Sequence, residues 1–418
     1  MKRAIVVGSG AGGATAAREL AGRFDVTVLE AGGGFRPFTT AMPALEWLKS
    51  SRLLFDERQI PLFFPSMRVQ RADGIVMVRG VGAGGSTPMS MGSAIRADAG
   101  LKAIGLNLDA EFDEIAREIP SSTDHARQWL PSTRRLFEVC REMGLEPEPT
   151  PKMLDPARCK LCGRCVFGCV REAKWDSRRF LSDAQQKGAR VITGCRVDCV
   201  QIEGGAATGV HTSCGLIRRF IPADIVILAA GGLGTPLILE RSGIAAEPAL
   251  FVQPVQCVAA KWSDAMQCFE MPMPFGAKRD GFLIAPYFDL LSFFFNRRWK
   301  PAARHTLVMM VALADASQGV VSKHAVKKEL TASDRRTLDA GTAVAREALE
   351  RFGAKTTFLG TMQAGHPGGS LPLTSANVHP PQLPANVWVA DASLLPEAPG
   401  APPMLTIIAL AKRVARMV

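Results

Sequence analysis

Four cysteines crowd into eleven residues as Cys159-x-x-Cys162-x-x-Cys165-x-x-x-Cys169. Short loops relaxed by Gly163 and Gly168 would let these thiolates converge on one inorganic centre, and the spacing matches bacterial runs that hold a [4Fe–4S] cluster. Two features depart from that pattern. Val170 stands where a proline normally follows, and the fourth cysteine of such a run commonly serves a second cluster. Cys169 must therefore turn back to the same cube or yield to Cys140, Cys195 or Cys199. Zinc in a closed tetrahedral site is the chief rival reading, and a loop of free thiols is the third. Cys214, Cys257 and Cys268 carry no motif and read as buried small hydrophobes.

A second constellation opens the chain. Apolar residues 4–7 lead into Gly8-Ser9-Gly10-Ala11-Gly12-Gly13, then a helical stretch over 14–20, a strand over 25–29 and Glu30. Strand, glycine turn, helix, strand and acid are the parts of a dinucleotide-binding βαβ unit. Gly8 permits the tight turn, Gly10 lets backbone approach a diphosphate, and Gly13 lets the helix pack close to the strand. The positive end of the helix that follows meets the diphosphate. Glu30, followed by Ala31, lies 22 residues after Gly8, where an acid can accept hydrogen bonds from a ribose. The triplet alone does not separate FAD from NAD.

Three further blocks narrow the choice. They are Gly82-Ala83-Gly84-Gly85-Ser86-Thr87, the apolar run 225–230 leading into Gly231-Gly232-Leu233-Gly234-Thr235-Pro236, and Val389-Ala390-Asp391-Ala392-Ser393 continuing to Met404-Leu405-Thr406-Ile407. In this order they resemble the glucose-methanol-choline (GMC) oxidoreductase family. The resemblance implies FAD, held at Gly8, Gly10, Ala11, Gly13, Glu30, Ala31, Gly82, Gly84, Gly85, Ser86, Val197, Ala230, Gly231, Asp391, Ala392 and Leu405. It also implies oxidation of an alcohol or related carbon centre. The family places a histidine of a His-Pro-x-Gly-Thr segment over the flavin, and His366-Pro367-Gly368-Gly369-Ser370 takes that place here. An imidazole suits the task, because it can accept a hydroxyl proton near neutral pH while hydride leaves for the flavin.

One departure bears on the chemistry. The family usually supplies a second His or Asn before a C-terminal proline, whereas this chain has Pro402 there, with no side-chain hydrogen bond to offer. Some family members are also similar around Cys162-Gly163-x-Cys165-x-x-Gly168-Cys169 and Ala173-Lys174, which keeps the free-thiol reading open. His379 reads as structural, and His125, His211, His305 and His324 as solvated or core residues without a motif.

These groups need a scaffold. The expected fold is α/β: a Rossmann-like FAD-binding domain built from residues 1–36, 66–100, 184–248 and 359–418. Residues 37–65 and 249–358, the latter rich in Met, Phe and Trp, form a smaller α+β substrate or cap lobe. Residues 101–183 form a helical connection that carries the cysteine run. Better helix candidates cover 111–118, 132–143, 333–352 and 405–417. At 418 residues with 47% hydrophobic and 21% charged content, the chain has the composition of a globular protein with a large core.

Composition also limits the partners. The 50 Lys and Arg against 39 Asp and Glu give a net charge of +11, which suits phosphate-bearing cofactors or an acidic redox protein; the basic residues are scattered, which argues against nucleic acid. The apolar stretch 282–295 is interrupted and too short to span a bilayer. No signal segment precedes the first strand at about Arg3, and clustered cysteines suit a reducing compartment, so a cytoplasmic location is expected.

If both centres form, the expected enzyme is an FAD-dependent dehydrogenase that takes hydride from a small-molecule substrate and passes single electrons through the cluster to a protein acceptor. Two alternatives stand beside it. One is a flavin and iron–sulfur subunit of a larger redox complex without its own substrate, docking through Phe293-Phe294-Phe295 and Arg297-Arg298-Trp299, although a buried aromatic core explains such a run as well. The other is a flavin oxidase with a structural zinc.

Overall fold

The computed structural model of the chain describes residues 1–51, 57–296 and 299–418. Its N-terminal unit begins with β1 (Arg3–Val7), α1 (Ala11–Leu20) and β2 (Asp25–Glu30). β1 pairs in parallel with β2 on one side and with the strand Ile225–Leu228 on the other. The strands Val387–Val389 and Arg190–Thr193 complete a five-stranded parallel sheet at its two edges. The continuous apolar runs of β1 and of Ile225–Leu228 follow from this position, because central parallel strands are covered on both faces.

The glycine turn shapes what lies on the sheet. A Cβ on Gly12 would fall 1.6 Å from the Ala390 carbonyl oxygen, so α1 and the closing strand approach at a distance only glycine permits. α1 also packs against the C-terminal helix Met404–Met417. Lys412 of that helix, 1% exposed, donates to Glu19, Glu114 and Glu118 at 2.8, 3.2 and 3.1 Å. The charge is therefore buried with its partners supplied from two other helices, Ala11–Leu20 and Asp109–Glu118.

The second body is a nine-stranded mixed sheet. Its strands run in the order Met67–Ala72, Ile75–Gly80, Gln363–Ala364, Pro254–Lys261, Thr306–Leu313, Phe282–Pro286, Phe275–Arg279 and Glu148–Pro149, with Thr357–Leu359 also on Pro254–Lys261. The helix Ala332–Phe352 covers one face. Its start is fixed by a reciprocal capping box between Thr331 and Asp334, and its end by Gly353 in the left-handed region. The other face carries Cys257, Ala259, Ala285 and Met310, packed against Phe167, Phe288, Phe293 and Trp299. Phe293 and Phe294 are buried and Lys49 sits over the Phe293 ring, so this aromatic run is core and offers no docking surface; Arg297 and Arg298 lie outside the described residues. Among the described residues no helix is long and apolar enough to cross a membrane.

The helices Asp109–Glu118, Pro131–Glu142, Ala332–Phe352 and Met404–Met417 fall where periodicity placed helix candidates. α1 begins three residues earlier than the pattern suggested, because its first turn contains the glycines that read as loop. An antiparallel meander of Arg196–Glu203, Ala206–Cys214 and Ile217–Pro222 joins the two halves of the parallel sheet's crossover. Cys195 and Cys214 are disulfide-bonded at its edge, which removes Cys195 as a spare metal ligand and corrects the reading of Cys214 as a buried free thiol.

The mixed sheet is locked by a fully buried ion pair, Lys328 to Asp315 at 2.8 Å. Asp315 also accepts the N–H groups of Val252 and Gln253, so three segments share one carboxylate. Replacing Asp315 by Ala would leave the Lys328 ammonium, which keeps only the Leu250 and Ala316 carbonyls among the described residues, without its counter-ion and both amides without their acceptor. Urea unfolding of Asp315→Ala is expected to show a loss of about 3–5 kcal/mol; a loss below about 1 kcal/mol would mean the pair is not the lock described.

Candidate active site

Two glycine blocks meet at the C-terminal edge of the parallel sheet. A Cβ on Gly85 would lie 2.7 Å from the Gly10 Cα, and one on Gly13 would lie 2.0 Å from the Gly8 carbonyl oxygen. Gly8 has φ of +98° and presses on the Ala229 carbonyl, where any side chain would collide. The N-terminus of α1 points into this junction. Gly10 is its N-cap without a side-chain cap, and its first turn contains no acid. Such an end presents unsatisfied N–H donors and the positive end of the helix dipole, which is the chemistry an FAD diphosphate requires.

Glu30 ends β2 beside it, 5% exposed. Its Oε2 accepts from Ser9 N–H at 3.1 Å and from the Ser9 hydroxyl at 2.7 Å, and its Oε1 accepts from Gly32 N–H at 2.9 Å. Ser9 Oγ in turn accepts from Gly84 N–H at 3.0 Å. Sequence reading missed Ser9, and two more supports with it. The Ser177 hydroxyl donates to the Ser9 carbonyl at 3.0 Å, and Ser177 N–H donates to Thr87 Oγ1 at 2.9 Å. A small polar residue inside a glycine motif was the one available signal. Ala11, Gly85 and Ser86 line the junction with part of their surface open, Ala31 is exposed, Gly82 and Gly84 are buried, and Val197 is buried at the start of the meander.

The residues expected at the flavin come together at a second junction. Asp391 is buried and its Oδ2 accepts from Gly231 N–H at 2.8 Å and the Thr235 hydroxyl at 2.5 Å, while Oδ1 accepts from Ser393 N–H at 2.8 Å. Burial raises its pKa, partly offset by the Thr235 and Ser393 hydrogen bonds. Ala230 is the N-cap of the helix Gly231–Arg241, Ala392 is buried in the following turn, and Leu405 lies half-buried on the C-terminal helix.

His366 is held against that junction. Its turn leaves the mixed sheet after Gln363–Ala364, and Gly368 exchanges two backbone hydrogen bonds of 3.1 Å with Phe251. Gly369 N–H donates to the Ala392 carbonyl at 3.0 Å, and a Cβ on Gly232 would strike the Pro367 carbonyl oxygen at 2.1 Å. The His366 Nδ1 is shut off from solvent and has no hydrogen-bond partner. Burial pushes its pKa down to about 4, so the ring is neutral at physiological pH and can accept a proton. Pro402 stands just before the N-cap of the C-terminal helix, and brings no polar side chain to the junction.

Among the described residues no group of three or more His, Cys, Asp and Glu is placed to hold a metal ion, so neither a [4Fe–4S] cluster nor zinc is supported at Cys159, Cys162, Cys165 and Cys169. The turn that carries them is docked on its neighbours. A Cβ on Gly163 would meet the Cys268 carbonyl oxygen at 2.4 Å, Gly168 abuts the Phe35 ring, and Phe167 stacks on Phe64 with ring centroids 5.3 Å apart. Cys162 is exposed, and burial pushes the thiols of Cys159 and Cys165 up, the latter to about 11. Cys140 is buried with its thiol pushed up to about 12, and Cys199 lies half-buried in the meander. Lys174, which follows the run, instead props the second glycine block, donating to the Thr87 and Pro88 carbonyls at 3.0 and 2.9 Å.

Two other histidines are held inside the fold by hydrogen bonds, while His324 is exposed. His125 accepts from the Trp129 indole at 3.1 Å and contacts the Thr150 carbonyl at 2.9 Å; His379 contacts the Val387 carbonyl at 3.1 Å.

Comparison with known proteins agrees with this geometry. An uncharacterized protein of Methanocaldococcus jannaschii is 27% identical over 417 residues, covering 98% of each chain. An uncharacterized GMC-type oxidoreductase of Mycobacterium tuberculosis is 28% identical, covering 99% of this chain and 75% of its own. A long-chain-alcohol oxidase of Arabidopsis thaliana is 27% identical over 271 residues, 57% of this chain and 34% of its own. Among solved structures, pyridoxine 4-oxidase from Mesorbium loti shares the fold with a TM-score of 0.70 at 16% identity, covering 100% of this chain and 98% of that one. The family model for GMC oxidoreductase matches residues 3–256, more than half of the chain. The chain belongs to the GMC oxidoreductases, FAD-dependent enzymes that act on CH–OH groups.

Proposed function

We propose that this protein oxidises an alcohol at FAD bound across the two junctions, with His366 accepting the hydroxyl proton. The observation that carries the reading is the desolvated, unpartnered Nδ1 of His366, held by a turn that is clamped to the Gly231 and Asp391 junction. The long-chain-alcohol oxidase relative supports an alcohol as the substrate class. Bound there, FAD supplies the hydride acceptor.

The chain's own residues do the rest. The uncapped α1 end with Gly8, Gly10, Ala11 and Gly13 receives the diphosphate, and Gly82, Gly84, Gly85 and Ser86 close over it. Glu30 accepts from the ribose, with Ala31 and Val197 at the adenosine end. Ala230, Gly231, Asp391, Ala392 and Leu405 flank the flavin. We divide the chain as its blocks suggest, with residues 1–36, 66–100, 184–248 and 359–418 holding FAD and residues 37–65 and 249–358 shaping the substrate side.

His366 acts without the second polar residue that Pro402 replaces. The expected relay to an acidic redox protein rested on a cysteine cluster, which the placement of the described residues does not support, so the proposed reaction is written without it.

Anaerobic mixing of the flavin-loaded protein with a panel of alcohols tests the reading, and bleaching of the flavin band is expected with at least one of them. His366→Gln should keep its flavin but slow that bleaching by roughly 10²–10⁴-fold; unchanged rates would remove His366 from the chemistry. The pH profile gives an independent check. The proton-accepting form of His366 persists above its lowered pKa, so kcat/KM should hold steady from neutral pH downward and fall only as pH drops through about 4. An acid limb near the ordinary histidine value would contradict the buried environment described.

A further inference from the structure

Three arginines lie on the segments that flank the turn after Glu30. Gly32 packs so tightly on the end of the strand Ile75–Gly80 that a Cβ there would lie 2.5 Å from the Val81 carbonyl, and Ala83 N–H donates to the Gly33 carbonyl at 2.9 Å. From the other side, Gly194 N–H donates to the Gly32 carbonyl at 2.7 Å and Cys195 N–H to the Glu30 carbonyl at 2.9 Å. The first segment carries Arg79. The second leads directly into Arg196.

Arg68 stands directly opposite Arg79 in the antiparallel register, so both side chains leave the same face of the sheet. Its guanidinium reaches only backbone carbonyls, those of Pro65 and Met67, at 2.6 and 2.8 Å.

Arg79 is the unusual member. Among the described residues its Nε is closed to solvent and has no hydrogen-bond partner. Burial lowers its pKa, and among the described residues the charges acting on it are two more cations, Arg68 and Arg196. Neighbouring Arg71, by contrast, is paired with Glu57. A half-buried guanidinium flanked by like charges is an unfavourable arrangement for the unliganded protein, and an oxyanion resolves it. It would accept from the planar guanidinium fork and neutralise the mutual repulsion.

We propose that Arg79, Arg68 and Arg196 form an oxyanion site for a phosphoryl group at the Gly32–Gly33 edge of the glycine junction. The site is separate in its donors from the α1 N-terminus, which presents backbone N–H groups. Two sources carry the required chemistry: a phosphate of the bound dinucleotide, or a phosphate-bearing molecule from solution.

Equilibrium binding to the full-length apoprotein tests the site, with FAD, riboflavin and inorganic phosphate as probes and with Arg79→Met, Arg79→Lys and Arg196→Gln as variants. Loss of a charge-assisted hydrogen bond should weaken phosphate binding at least about tenfold in Arg79→Met, with partial recovery in Arg79→Lys. Riboflavin, which has no phosphate, should bind all variants alike. If the site takes the cofactor's phosphate, inorganic phosphate should compete with FAD and leave the loaded enzyme's melting temperature unchanged. If it takes an outside phosphate, that salt should stabilise the FAD-loaded enzyme, and the effect should vanish in Arg196→Gln.

Unchanged phosphate and FAD affinities in both Arg79→Met and Arg196→Gln would overturn the proposal. Arg196 is exposed, so its variant decides the matter even if Arg79→Met fails to fold. Failure of the apoprotein to bind any FAD would instead count against the function proposed above, while phosphate binding would still judge the arginines.

Discussion

The structure turns on one buried hydrogen-bonded pair, Ser9 and Glu30. The Ser9 hydroxyl bonds the carboxylate and accepts the Gly84 amide, so it joins the first glycine turn, the acid ending β2 and the second glycine block at a single oxygen. Ser177, Thr87 and Lys174 then brace that joint from the far side. Backbone segments far apart in the chain can be brought into contact only where side chains are absent, and once in contact their N–H groups need acceptors that fit a very small space. A serine hydroxyl meets that need with the least volume. The rest of the site inherits its position from this joint, because α1, the second glycine block and the Glu30–Gly33 turn have no freedom to move independently.

Much of this arrangement was legible from the residues. The βαβ unit, the apolar strand Ile225–Leu228 and the closing strand and helix announce themselves through periodicity and glycine spacing, because each is a local pattern serving a covered parallel sheet. His366 was legible for a different reason: its His-Pro-Gly-Gly setting resembles a family segment, and the structure closes that segment onto Phe251 and Ala392. The braces were not legible. Thr87, Ser177 and Lys174 are ordinary polar residues whose importance lies in partners more than seventy positions away, and Ser9 joins the nearby Glu30 to the equally distant Gly84. The mixed sheet was also hidden, since its strands are short, draw from five separated stretches, and include Gln363–Ala364 and Glu148–Pro149, which are too brief to leave a period.

The cysteine run shows how much spacing leaves open. Ligand spacing states which thiols could reach one point, yet the conformation of a turn is decided by every contact it makes. Here Gly163 and Gly168 lie in close approach to Cys268 and Phe35, and Phe167 anchors the turn among aromatic rings. None of these neighbours was visible in the spacing. Cys195 and Cys214 make the complementary point, for neither belongs to a motif and the meander brings them together.

The placement of Val387–Val389 and of Met404–Met417 against β1's neighbour and α1 has a consequence for biosynthesis. A ribosome releases this βαβ unit well before Val387–Val389 and Met404–Met417, so its sheet lacks an edge and its helix lacks a cover until those segments emerge. Contacts of such long sequence separation close late and slowly. Until then apolar strands of the nascent chain stay unshielded.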